Sequence, residues 1–143
     1  MKKLLLVTMV LASFVSYGQK STTLKTPSTI SVSLLDGLDF KNKITFKVIE
    51  PNKFDNFYGK KSINQINDCL QIANVFLNFE MKNVNSYKPI ASPINKIMLL
   101  DSDGKTLVHI TLVAESQNGY GNKVIKEYHL YSDDATNFKL SSY

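Results

Sequence analysis

The sequence predicts an α+β fold. An antiparallel sheet ends in a three-stranded meander over about residues 96–132, and one amphipathic helix, about 62–74 or longer, packs on it. Three observations carry this expectation. Ile63, Ile66, Leu70, Ala73 and Leu77 recur at steps of three and four, the period of one apolar helix face. Ile97–Leu100, Thr106–Glu115 and Lys123–Tyr131 are rich in strand-forming residues. Asp103-Gly104 and Asn118-Gly119 supply hairpin turn signals between them. An all-β sandwich is the alternative, should 69–82 be strand throughout.

The chain has 143 residues, which suits one domain. It opens with a segment of a different kind. Lys2 and Lys3 precede an uncharged, mostly apolar run from Leu4 to Val15, and Ser16 and Gly18 place small residues before a cut at Gln19. That is the layout of a secretory signal peptide over 1–18. The apolar run is roughly 12 residues, and a membrane-spanning helix needs about 20. A secreted or periplasmic protein starting at Gln19, with no transmembrane anchor after cleavage, is therefore expected. Residues 19–28 are polar, contain Pro27 and read as a flexible lead-in, leaving 29–143 as the single globular domain.

Along that domain, Ile30, Val32 and Leu34 alternate within a strand, and Asp36-Gly37 signals a turn. Ile44, Phe46 and Val48 alternate with Thr45 and Lys47, giving one dry face and one wet face. Pro51 closes that strand, because it cannot donate to a ladder. Asn52–Lys61 reads as a loop holding Phe54, Phe57 and Tyr58. Ser62 and Gln65 have the spacing of a capping box. Six asparagines from 64 to 85 compete for backbone hydrogen bonds and weaken the helix. Residues 75–82 also alternate, so helix and strand both remain open there. Asn83–Asn95, with Pro89 and Pro93, reads as a loop.

Charge excludes more than it suggests. Basic and acidic residues number 17 and 12, and every basic residue is lysine. Without arginine there is no bidentate fork for phosphate or guanine, which argues against a specific nucleic-acid reader. The single cysteine, Cys69, has no partner for a disulfide and sits among Leu70, Ile72 and Ala73, the setting of an inert core thiol. No Asn-x-Ser/Thr acceptor occurs.

Strong catalytic signatures are missing: there is no Gly-x-Ser-x-Gly, His-Glu-x-x-His or Cys-x-x-Cys. Gly119-Tyr120-Gly121 lies between two strands, the wrong context for a dinucleotide loop. Asp101-Ser102-Asp103-Gly104 starts like a calcium loop but returns at once to a strand. Two histidines remain. A tight second hairpin would set His109 opposite His129, Thr111 opposite Glu127 and Glu115 opposite Lys123 on one face. Val108, Ile110 and Ala114 would face Leu130, Tyr128 and Val124 on the other. His109 and His129, with Glu127 nearby, are thus the acid–base or metal candidates. Zinc normally takes three or four protein ligands, so no metal and no cofactor is assigned. The ligand or partner candidates are Phe54, Phe57 and Tyr58 in the aromatic loop and Tyr120 at the hairpin tip.

These features favour a small secreted, non-enzymatic binding or interaction protein of unknown ligand and partner, in the form of an inhibitor or an envelope-associated module. A small secreted enzyme or metal-binding protein using His109 and His129 is the alternative. A third reading is an envelope component that acts in an assembly through an unpaired sheet edge.

Overall fold

The computed structural model describes residues 24–37, 39–81 and 83–141. The signal peptide expected over 1–18 and the first residues of the expected lead-in lie outside the described residues. The described chain is α+β, with one long helix on a mixed seven-stranded sheet. In chain order the elements are β1 (Thr29–Asp36), β2 (Asp39–Val48), α1 (Pro51–Tyr58), α2 (Ser62–Glu80), β3 (Lys88–Pro89), β4 (Lys96–Ser102), β5 (Lys105–Gln117), β6 (Lys123–Ser132) and β7 (Lys139–Leu140). Single 3-10 turns cover Gly59–Lys61 and Val84–Ser86.

The sheet runs β1-β2-β4-β5-β6-β7, and β3 pairs with β5 beyond the end of β4. All pairs are antiparallel except β2–β4, which meet in parallel at Lys47–Lys96 and Val48–Ile97. The sheet is therefore mixed, where the sequence predicts an antiparallel one. A parallel neighbour needs a crossover of a dozen residues or more. Here α1 and α2 supply it.

Alternation sorts the strands as expected. Ile30, Val32 and Leu34 of β1, Ile44, Phe46 and Val48 of β2, and Val108, Ile110, Leu112 and Ala114 of β5 all enter one core. The helix adds Ile66, Leu70, Ala73 and Leu77. The far end of α2 settles as helix through Glu80, because Leu77 and Asn78 continue the buried face while Phe79 points outward, 73% exposed.

Two of the asparagines are structural rather than merely helix-weakening. Asn74 is fully buried; its Nδ2 donates to the Leu35 carbonyl at 3.4 Å, and its Oδ1 accepts from the Tyr87 hydroxyl at 2.6 Å. Asn78 Nδ2 donates to the Gly37 carbonyl at 3.0 Å, and the Gly37 N–H donates to the Tyr87 carbonyl at 3.0 Å. The end of β1 is thus covered by helix and loop instead of being left as a bare edge.

Four local expectations are corrected. Residues 52–61 are helical, not loop. Pro51 occupies the first turn of α1, where its missing N–H costs nothing and its fixed φ suits a helix. The Ser62–Gln65 capping box does not form, because the chain is already helical at Ser62 (φ −56°, ψ −44°). The Ser62 hydroxyl instead donates to Asp55 Oδ1 at 3.0 Å. Within 83–95, β3 forms, and Asn95 organises the rest: its Nδ2 donates to the Ile90 carbonyl and its Oδ1 accepts from the Val113 N–H, both at 2.9 Å.

The fourth correction concerns the β5–β6 register. Asp103-Gly104 does form the expected tight turn, with φ of 50° and 75°. Asn118-Gly119 does not. The connection is a wider loop over 118–122, with positive φ at Gly121 (80°) and Asn118 Oδ1 accepting from the N–H groups of Tyr120 and Asn122, both at 3.0 Å. The Asn118 side chain substitutes for a backbone turn. The register shifts by two residues, so His109 faces Tyr131, Thr111 faces His129, and Glu115 faces Ile125. An even shift leaves every side chain on its expected face.

The buried Asn74–Tyr87 pair gives a stability prediction. Asn74→Ala strands the Tyr87 hydroxyl and should cost about 2–3 kcal/mol, whereas Tyr87→Phe should cost about 1–2 kcal/mol. In urea unfolding the double variant should lose less than the sum of the two, because both remove one interaction.

Candidate functional site

Of the four aromatic candidates, the structure exposes two. Phe54 is 1% exposed and belongs to the core. Tyr58 is half-buried against that core, and burial pushes its hydroxyl pKa up to about 12. Phe57 stands outward, 54% exposed, with its ring edge-on to Tyr58 at 4.8 Å. Tyr120 projects from the β5–β6 loop, 93% exposed, with no cleft around it among those described below. The helical spacing of α1 separates the three clustered aromatics: Phe54 and Tyr58 point in, and Phe57 points out.

The same spacing builds an outer face on α1 from Asn52, Lys53, Asn56, Phe57 and, just beyond the helix, Lys60. A cleft of about 530 Å³ lies on one flank, between α1 and Leu24-Lys25, with Asn52, Asn56 and Lys60 on its wall. A groove of about 220 Å³ lies on the other, between Phe57 and Leu99, with Lys53, Asp101 and Thr106 at its rim. Asn56 borders both.

Asp55, on the wall of the first cleft, ties α1 to the segment before β1. Its carboxylate accepts from the Thr26 N–H at 3.0 Å, the Thr26 hydroxyl at 2.6 Å and the Ser62 hydroxyl at 3.0 Å. These bonds, those from Thr26 foremost, lower the Asp55 pKa below the usual carboxylate range. They also pin residues 24–26 beside the helix. Asp55 lines the cleft together with two lysines, two asparagine amides and the apolar Leu24.

The histidines form a second constellation, on the sheet face opposite the core. His109 Nε2 lies 3.2 Å from His129 Nδ1, and His129 Nε2 lies 3.2 Å from Glu127 Oε1. The imidazole centres are 5.4 Å apart with planes 23° from parallel. That separation nearly equals the nitrogen–nitrogen distance plus two ring radii, so the two nitrogens point at one another. This is the geometry of an N–H···N hydrogen bond, not of two lone pairs converging on a cation. If His129 Nε2–H donates to the Glu127 carboxylate, His129 Nδ1 accepts from His109 Nε2–H. His109 Nδ1 is then a buried lone pair, without a partner among the described residues. The His109 ring lies flat on Tyr131, 4.4 Å between centres and 3° from parallel.

His109 is only 8% exposed. Burial, then His129 and Lys96, lower its pKa to about 4. No histidine lines either cleft beside α1, and no group of three His, Cys, Asp or Glu among the described residues is placed to hold a metal ion. The row can share a proton internally; His109 is withdrawn from the surface, while the His129 side chain is 31% exposed and holds its outer nitrogen on Glu127. Cys69 is likewise withdrawn: it is 1% exposed, and burial raises its thiol pKa to about 11.

Sequence reasoning missed the outer face of α1 as a unit and the anchorage by Asp55. The available signal was Pro51 followed by Phe54 and Tyr58 at one helical step, which fits a helix start as well as a strand end. It also missed Asp134, whose carboxylate accepts from the N–H groups of Thr136 and Asn137 and holds the last turn; these bonds keep its pKa far below the usual range.

Comparison with protein-family models, with curated proteins and with solved structures finds no match to this chain.

A depressed histidine pKa sets the sign of a pH effect. Between its unfolded value near 6.5 and about 4, the unfolded chain binds a proton that folded His109 refuses. Stability attributable to His109 is therefore fully present above pH 6.5 and falls by about 2 kcal/mol on approach to pH 4.5. His109→Gln should flatten that part of the profile in urea unfolding from pH 7 to 4.5.

Proposed function

We propose that this chain is a small exported, non-enzymatic binding module whose contact surface is the outer face of α1. The single observation that carries the reading is exposed Phe57 on the wall of the smaller groove, next to Asn56, which that groove shares with the larger cleft. An exposed aromatic ring beside amide and ammonium groups suits a ligand with an apolar face and a polar or anionic edge. The cleft of about 530 Å³ falls within the range of small-molecule and short-peptide sites. A filled core with shallow surface clefts supports binding over catalysis. The alternative built on His109 and His129 has less support, because the buried partner is His109 and its hydrogen-bonding nitrogen is already engaged.

Amide chemical-shift mapping during titration with short peptides and oligosaccharides tests the surface. Shifts should cluster at residues 24–26 and 52–60. Phe57→Ala should weaken the responding ligand about tenfold or more without changing thermal unfolding. A response centred on Tyr120 or on the histidine face would overturn the assignment.

Export rests on Lys2–Gly18, and the mature protein would be secreted or periplasmic. Intact-mass measurement on protein recovered outside the cytoplasm should give Gln19 as the first residue; a retained Met1 removes this part of the reading.

A further inference from the structure

We infer that the outer edge of β6 is a self-pairing edge that joins two copies of this chain into one continuous sheet. On its inner side β6 pairs with β5 along its whole length. On its outer side, among the described residues, β7 pairs with Leu130 and Tyr131, and the Ser141 N–H donates to the His129 carbonyl. That last bond fixes which backbone groups face outward. A strand residue sends its N–H and C=O to the same side, and successive residues alternate. With His129 facing out, so do Glu127, Ile125 and Lys123. Their six polar groups have no backbone partner among the described residues. At the other end of the sheet, helix α2 covers the end of β1 through the Leu35 and Gly37 carbonyls.

The sequence of this edge is self-complementary in one register. An antiparallel two-fold pair must centre on one residue facing its own copy. Centred on Ile125, the outward groups of Ile125 meet those of the second Ile125, Lys123 meets Glu127, and Glu127 meets Lys123. All three side chains lie on one sheet face. Ile125, now 60% exposed, is covered by its counterpart, and the flanking charges are of opposite sign. Centring on Lys126 sets lysine against lysine; centring on Val124 sets Lys123 against Ile125 and leaves Glu127 opposite Gly121. The window is bounded by the loop over 118–122 at one end and by β7 at the other, which confines pairing to 123–127.

Both charged side chains already have a neighbour in the single chain. Lys123 Nζ lies 3.3 Å from Glu115 Oε1, and Glu127 Oε1 lies 3.2 Å from His129 Nε2. Lys123 nonetheless remains 75% exposed in its side chain and Glu127 44%, so each has bonding capacity to offer across the two-fold axis. A five-residue edge buries less than the roughly 1,000 Å² of a standard interface, so the association is weak and concentration-dependent.

Sedimentation equilibrium of the purified full-length mature chain, from micromolar to millimolar, tests this. The wild type should pass from one-chain to two-chain mass as concentration rises. Glu127→Lys should weaken the dimer about tenfold by placing lysine opposite lysine twice. Lys123→Glu combined with Glu127→Lys should restore it, because the swapped pairs are again opposite in sign. Circular dichroism on the same samples verifies that the variants fold. A one-chain mass throughout, a dimer indifferent to the single reversal, an unrestored double variant, or an edge that pairs only with a different protein overturns the inference. The outer face of α1 is not involved, so the result is independent of ligand binding there.

Discussion

The fold hangs on a buried hydrogen bond between two side chains, from the Tyr87 hydroxyl to Asn74 Oδ1 at 2.6 Å. Both residues are fully buried, so neither polar group could return to water without opening the core. Such a pair is costly to break on one side and contributes direction as well as energy. The asparagine amide continues to the Leu35 carbonyl, and the Tyr87 carbonyl accepts from Gly37. Helix α2, the end of β1 and the segment leading into β3 are thereby set relative to one another at one point. Since β3 pairs with β5, the same point registers the N-terminal hairpin against the C-terminal meander.

Local chemistry made much of this visible beforehand. Every strand of the meander and the β1–β2 hairpin could be placed, because alternation reports directly which face is dry. The helix was visible for the same reason. What escaped depended on partners far away in sequence. Nothing near Asn74 or Asn78 announces a carbonyl 39 or 41 residues earlier, so their role as ties was hidden behind their low helix propensity. Ser62 satisfied every local rule for a cap, yet Asp55 claimed its hydroxyl. The parallel β2–β4 contact was beyond local reading, because each strand looks the same whichever way its neighbour runs.

The candidate site was legible in part. The aromatic segment 54–58 was singled out, but treating it as loop hid the fact that helical spacing sorts its rings, sending two inward and one outward. The histidines illustrate the opposite outcome. Their register was displaced by two residues, yet parity kept them together, and the contact geometry then decided their chemistry. Nitrogens aimed at each other spend their bonding capacity internally. Burial of His109 also makes the pair a pH-sensitive element of the packing.

The two-residue parallel junction between β2 and β4 has a further consequence, for the order of assembly. The meander from β4 to β6 is held by contacts close in sequence and can close quickly. The β1–β2 hairpin is local too, but its attachment to β4 spans a crossover of nearly fifty residues and rests on two rungs, Lys47–Lys96 and Val48–Ile97. Contact order therefore predicts that the N-terminal half, although synthesised first, docks last. While it waits, Ile44, Phe46 and Val48 present an apolar strip with no partner. Any factor that holds the nascent chain in a non-aggregating state would find its natural grip on that strip, which disappears when the helix layer closes.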